Sequence, residues 1–207
     1  MKILLSIDDG SKEDIKIAKL CKKYGVEAVF YWPVDMYGLS LQKGWDSLNP
    51  KDEAWIADNF EIGSHTISHR YLTRIPIDEA IDEVAESRKM LQRKYNQSID
   101  KFCYPRGYAN EQIMAVVEQA GYRLARSTEI GHIGTPDNPF FAPTAVHIAC
   151  PVRVEYKGTN WFDYGLKLLK QARKENKDFE GWLHGWEVSR YHCWGEVENF
   201  IKEMANG

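Results

Sequence analysis

The 207-residue chain has no apolar run long enough to cross a membrane. No lysine or arginine run is long enough to suggest a nucleic-acid partner, and the net charge of −3 gives such a partner no support. Its four cysteines, Cys21, Cys103, Cys150 and Cys193, are scattered without paired spacing. They read as reduced thiols rather than as a disulfide or zinc–cysteine framework. No glycine-rich phosphate loop follows the first apolar segment, so the usual dinucleotide-binding motif is missing. No internal repeat, linker or low-complexity stretch interrupts the chain, and residues 1–207 are expected to form one domain. The opening MKILLSIDDG meets two aspartates too soon for a secretory leader. A cytoplasmic location is therefore expected, with a leader already removed as the alternative.

What is present is an alternation of short strand patterns with helical ones. ILLSI (3–7), EAVFYW (27–32), FEIG (60–63), KFCYP (101–105), YRLARS, TAVHIA and GWLHGW read as strands. Between them, Ser11 and Asp14 give a capping-box signal with Gly25 as a stop, and KDEAWIADN reads as a helix. Ile77, Ala80, Ile81, Val84, Ala85, Arg88 and Leu91 recur at helical spacing, and Asn110 caps a further helix that Gly121 stops. A helix over roughly Trp161 to Asn176 and another over WGEVENFIKEMA complete the pattern. Strands separated by helices of this length predict parallel βαβ units. About seven units fit, which predicts an α/β fold: an incomplete (β/α) barrel, or else an open doubly wound sheet.

Unusual polar residues fall at the ends of these strands. Asp8 and Asp9 follow the first, His65 and His69 the third, Pro105-Arg106-Gly107 the fourth, and His184 closes the last. In a parallel barrel all strand C-termini open onto one face, which carries the active site. Each feature alone has a plainer explanation: a turn and helix cap for the aspartates, surface positions for the histidines and Arg106, a core position for His184. Two adjacent carboxylates repel unless something positive stands beside them, and a bound cation resolves this. One carboxylate and two imidazoles leave open positions on a divalent metal, as catalytic sites require. A second carboxylate as base and a histidine as acid would complete a hydrolase for amides or esters. Non-haem iron oxygenases use a similar donor set, but here the carboxylate precedes the histidines by more than fifty residues in an α/β pattern. His132, His147 and His192 read as structural.

With these residues in hand, the chain resembles the polysaccharide deacetylase family, whose domain is also named for the NodB chitooligosaccharide deacetylases and classed as carbohydrate esterase family 4. SIDDG resembles the family's first motif, Thr-Phe-Asp-Asp, and HTISH the second, His-Ser/Thr-x-x-His. FCYPRG corresponds to the third, usually Arg-x-Pro-Phe/Tyr followed by Gly, and WLH to the fifth, Leu-x-His. The resemblance implies a distorted, incomplete barrel and a divalent metal, most often zinc, with cobalt, nickel or manganese as alternatives. By position it makes Asp9, His65 and His69 the ligands, Asp8 the general base and His184 the general acid. The backbone N–H of Arg106 would help to hold the oxyanion. The implied reaction removes an N-acetyl group from an amino sugar in a carbohydrate substrate.

The chain departs from the family pattern in three places. Cys103 stands where the third-motif arginine, partner of the base, is expected; Arg106 and Arg126 are two candidate sources of the missing charge. Arg106 itself stands where an aromatic residue is common. The fourth motif, an aspartate and a tryptophan behind the acid histidine, has no counterpart. Trp186 and Glu187 lie close by in sequence, and Glu187 reads as a surface residue. Among the aromatics Tyr31, Trp32, Tyr37 and Trp45, with Trp186, we single out Trp32, Tyr37 and Trp186 as candidates to stack on sugar rings. Two other functions stay open: hydrolysis of another amide, imide or ester bond, and carbohydrate binding without catalysis.

Overall fold

The structure, a computed structural model, describes residues 1–206. Its strands are β1 (Ile3–Asp8), β2 (Glu27–Trp32), β3 (Glu61–Ser64), β4 (Lys101–Cys103), β5 (Leu124–Arg126), β6 (Val146–His147) and β7 (Phe179–His184). Its helices are α1 (Asp14–Tyr24), α2 (Met36–Lys43), α3 (Pro50–Asn59), α4 (Ile77–Tyr95), α5 (Glu111–Gln119), α6 (Trp161–Glu175), α7 (Gly185–Arg190) and α8 (Trp194–Ala205). The strands form one sheet in the order β5-β4-β3-β2-β1-β7-β6, with every pairing parallel. The sheet curls into an incomplete (β/α) barrel, as expected from the alternating pattern. Its two edges, β5 and β6, do not pair with each other. Residues 139–145 run between them: Arg126 bridges Ala142, and the Ala145 N–H donates to the Glu180 carbonyl at 2.7 Å.

Strand parity decides what faces where. Leu5, Ile7, Phe30, Trp32, Ile62, Phe102, Ala125, Phe179 and Leu183 point outward and form the main core with the helices. Ile17 of α1, Val84 of α4, Val117 of α5 and Phe200 of α8 belong to that core. The opposite parity looks inward. There Leu4, Val29, Tyr31 and Cys103 make a separate small cluster among polar groups from Ser6, Asp8, Arg126 and Glu180. Gly63 lets the inner face close up, because a Cβ there would lie 2.4 Å from the Tyr31 ring. Burying each large apolar residue of the outer layer contributes about 1.5–3 kcal/mol. That layer holds the frame while the inner face is given to charge.

The helices start and stop as their sequences direct. The side chains of Asn49, Asn110 and Asn160 accept backbone N–H groups of α3, α5 and α6, and Gly25 ends α1 at φ 72°. The start of α1 differs from expectation. Ser11 Oγ donates to Asp14 Oδ1 at 2.9 Å, side chain to side chain, and no side chain caps the helix. Both residues are fully buried, and burial pushes the Asp14 carboxyl well above its usual pKa. Two helices, α2 and α7, were not foreseen; both lie in segments read as loop or strand end, and both border the site.

Candidate active site

The C-terminal ends of the strands surround a cleft of about 420 Å³, lined on its floor by Asp8, Asp9, His65, His69 and His184. Asp8 closes β1 and is the register neighbour of His184 on β7 and of Tyr31 on β2. Asp9 turns away at φ 80°. His65 follows β3 directly, and its N–H donates to the Trp32 carbonyl at 3.0 Å. Two histidines four apart would share one face of a helix; here they sit in a loop after a strand instead.

That loop is anchored from below. A Glu83 carboxylate oxygen, on α4, accepts the N–H groups of Ile67 and Ser68 at 2.9 Å each, while its other oxygen accepts the Ser68 hydroxyl. Thr66 Oγ1 accepts the His69 N–H at 2.9 Å, and Ser64 Oγ lies 2.8 Å from Ser87 Oγ. The hydroxyls around the histidines therefore bond to backbone or to side chains of α4, and not to the imidazole rings. The imidazole of His65 is oriented by a carbonyl: its Nδ1 lies 2.7 Å from the Cys103 oxygen. A carbonyl can only accept, so Nδ1 carries the proton and Nε2 presents a lone pair.

Three donor atoms then face one another. His65 Nε2 lies 3.6 Å and His69 Nε2 3.5 Å from Asp9 Oδ1, and that oxygen is buried without a hydrogen-bond partner. Burial lowers the pKa of both histidines, His69 to about 3, so both rings are neutral. Burial works against the ionised form of Asp9, but the imidazoles around it, His184 foremost, and Trp186 Nε1 at 3.1 Å outweigh that penalty. Its pKa falls below the ordinary carboxylate value. An orphaned carboxylate oxygen beside two neutral imidazole nitrogens fits a divalent cation.

Beside this trio, Asp8 meets Arg126. The guanidinium is completely buried, and its Nη2 donates to both Asp8 oxygens and lies 3.0 Å from Cys103 Sγ. Nη1 donates to the Ser127 carbonyl at 3.0 Å, and the group lies 4.9 Å from the Trp182 ring centre and 5.2 Å from that of Tyr31. Cys103 and Arg126 are register partners on β4 and β5. The charge missing at Cys103 thus arrives at the same height from the next strand. Arg106 does not supply it: its side chain is exposed at the cleft mouth, 5.3 Å from the Tyr71 ring centre, on backbone turned to φ 64°.

On the opposite wall, Glu187 holds two histidines through one oxygen. His184 Nδ1 and His147 Nε2 each lie 2.8 Å from Glu187 Oε2. Burial disfavours charge on His184, yet Glu187 and Asp9 outweigh it and push its pKa up to about 9. Its Nε2 faces the trio, 3.7 Å from Asp9 Oδ2. Burial brings His147 down to about 4, and its ring stacks on Trp182 at 3.6 Å between centres. Glu187 is thus not a surface residue, because α7 folds it back one turn after His184. His147, read as structural, lines the cleft. The (i, i+3) spacing of His184 and Glu187 was the available signal for the first; nothing in the sequence around His147 marked it.

The aromatic candidates divide. Trp186 lines the cleft and stacks on His184 at 5.1 Å, and Trp45 lines it too. Trp32 has outward parity and is fully buried between Phe30 and Tyr95, so it cannot meet a sugar. Tyr37 sits on α2 with 67% of its surface exposed, outside the cleft. Tyr31 is buried inside the barrel beneath Arg126.

Three comparisons bear on this arrangement. The chain is 28% identical over 130 residues to YxkH of Bacillus subtilis, covering 62% of this chain and 45% of that protein. It is 24% identical over 124 residues to a peptidoglycan-N-acetylglucosamine deacetylase of Bacillus cereus, covering 58% and 54%. The chain therefore spans about half the length of these curated relatives. Its fold matches the family 4 carbohydrate esterase of Streptomyces lividans, solved in complex with acetate, with a TM-score of 0.64 and 12% identity over 99% of this chain and 85% of that one. The family model for polysaccharide deacetylases matches residues 1–125. By that match, and in accord with the motifs at the strand ends, the chain belongs to the polysaccharide deacetylase family.

Proposed function

We propose that this chain is a metal-dependent hydrolase that removes N-acetyl groups from an amino-sugar-containing carbohydrate and releases acetate. The observation that carries this reading is the unpartnered Asp9 oxygen facing two bare imidazole nitrogens, flanked by Asp8 on one side and His184 on the other. Family membership and the N-acetylglucosamine deacetylase among the relatives support the substrate class.

Asp9, His65 and His69 would hold the divalent metal, for which zinc suits a donor set of one carboxylate and two imidazoles. Such a metal lowers the pKa of a bound water to about 7 and polarises a carbonyl oxygen. Asp8, fixed by Arg126, takes the proton of the attacking water as it adds to the acetyl carbon. The backbone N–H of Arg106 donates toward the developing oxyanion. His184, protonated through its pairing with Glu187, gives its proton to the nitrogen as the C–N bond breaks, leaving a free amine and acetate. Trp186 and Trp45 offer faces for the sugar ring.

Acetate release from an N-acetylglucosamine oligomer tests this reading. Zinc-reconstituted protein should be active, chelated protein inactive, and Asp8→Asn should keep metal while losing turnover. Full turnover in the presence of chelator would overturn it.

A further inference from the structure

The cleft is charged in a lopsided way. The chain as a whole is acidic, with a net charge of −3, yet Lys43, Arg106, Arg153 and Arg190 all line this one cavity. Two of the carboxylates that line it are paired, Asp8 with Arg126 and Glu187 with two histidines, while Asp9 belongs to the donor trio and keeps its Oδ1 unpartnered. Arg153 pairs with Glu155 at 2.9 Å. Lys43, Arg106 and Arg190 have no carboxylate within 4.0 Å among the described residues. Desolvation and the neighbouring charge of Arg106 lower the pKa of Lys43, and the Asp9 carboxylate partly offsets them.

A second cavity adjoins the first, and the two share Lys43, Trp45, Trp186 and Arg190 as walls. In that second cavity Lys12 is neutralised by Asp46 at 2.5 Å, and Glu13 adds one carboxylate. At the junction, two indole rings and two cations without partners stand together. Indole faces suit the apolar side of a pyranose, while a guanidinium and an ammonium suit carboxylate or phosphate oxygens.

We infer that the cleft selects an anionic N-acylated saccharide, whose carboxylate or phosphate group is held by Lys43 and Arg190 at the junction, with Arg106 facing it across the mouth. This rests on the reading of the floor as an amide-hydrolysing site and adds the charge of the substrate to it. Like-charged side chains facing one cavity repel one another, and an anion relieves that repulsion on binding.

The test uses the zinc-loaded 207-residue chain and three substrates: neutral tri-N-acetylchitotriose, N-acetylglucosamine 1-phosphate, and an N-acetylated oligosaccharide containing a uronic acid. Acetate release should favour one or both anionic substrates, and whether the phosphate or the uronate is preferred identifies the source of the charge. In the Lys43→Gln/Arg190→Gln double variant, the ratio of kcat/KM between the charged and the neutral substrate should fall roughly tenfold, a loss of about 1.4 kcal/mol. That loss should lie in KM of the charged substrate. Calorimetric titration with N-acetylglucosamine 1-phosphate reads the same contact without turnover and should weaken to a similar degree. Equal rates on all three substrates, or an affinity for the phosphate that the double variant leaves unchanged, would overturn the inference; in the second outcome the anion sits on the metal. The two readings fail separately. Binding that depends on Lys43 and Arg190 without acetate release refutes the reaction alone, whereas deacetylation indifferent to both side chains refutes the charge preference alone.

Discussion

The donor side of the cleft and its supporting side are built differently. The donor side, Asp9 with His65 and His69, comes from the ends of β1 and β3, and its residues follow one another as the family's motifs do. The supporting side, Arg126, His147 and Glu187, comes from β5, β6 and α7 and follows no motif. The family match ends at residue 125, one position before Arg126. Both sides meet at the same cleft, but only the donor side lies within the part of the chain that the family model matches. A base carboxylate needs a cation and an acid imidazole needs a carboxylate; neither need specifies the strand that delivers it. Cys103 and Arg126 are register partners, so a side chain on either strand end stands at the same height beside Asp8.

Removing the cation should have the largest effect. Arg126→Met leaves the buried Asp8 carboxylate unpaired, which we expect to destabilise the fold by about 3–5 kcal/mol and to abolish turnover, measured by denaturant unfolding and acetate release. Adding Cys103→Arg to that variant should recover part of both losses, because the guanidinium would return to Asp8 from the neighbouring strand. No recovery would show that β4 and β5 are not interchangeable.

Next comes His69→Ala, which should lose zinc binding and activity together, with only a modest fall in the unfolding midpoint of the metal-free protein for truncating a ring that packs on His65. Glu187→Gln should do the reverse. Zinc stays bound, and kcat falls about 10²-fold because the acid loses its partner. The sign of its pH effect follows from the raised pKa of His184. Glu187, with Asp9, raises it to about 9 against burial, so losing Glu187 should move the alkaline limb of the rate profile to lower pH.

The smallest effect is expected away from both sides, at Asp14. Burial raises its folded pKa, so its contribution to stability is present below the ordinary carboxylate pKa of about 3.9 and is lost as pH rises through the folded value. Asp14→Asn should therefore unfold at higher denaturant than the parent at pH 7, with the advantage vanishing near pH 3.

These contrasts also explain what could be read from the sequence. The strands and long helices were legible because apolar parity and caps are local signals; α8 was read to the residue, and β2 likewise. The donor residues were legible because Asp9 and His65 each follow a strand directly and His69 lies four residues after His65 in the same loop. Arg126 could be named only as one of two candidates, since choosing it required the β4–β5 register. Glu187 depended on a six-residue helix, and His147 on a strand of two residues. Trp32 was misread for a different reason. It shares parity with Ala28 and Phe30, which already faced the outer core, so the alternation within EAVFYW pointed away from the cleft.

If Asp9, His65 and His69 hold the metal, one ion should bind on the donor side and none on the supporting side. His147, His184 and Glu187 also bring three ligand atoms together, but their facing atoms are used in hydrogen bonds to one another. Crystals of the zinc-loaded protein, measured at the zinc absorption edge, separate the two directly. The account predicts a single anomalous peak within bonding distance of Asp9 Oδ1, His65 Nε2 and His69 Nε2. A peak among His147, His184 and Glu187, or no peak at full zinc loading, would contradict it.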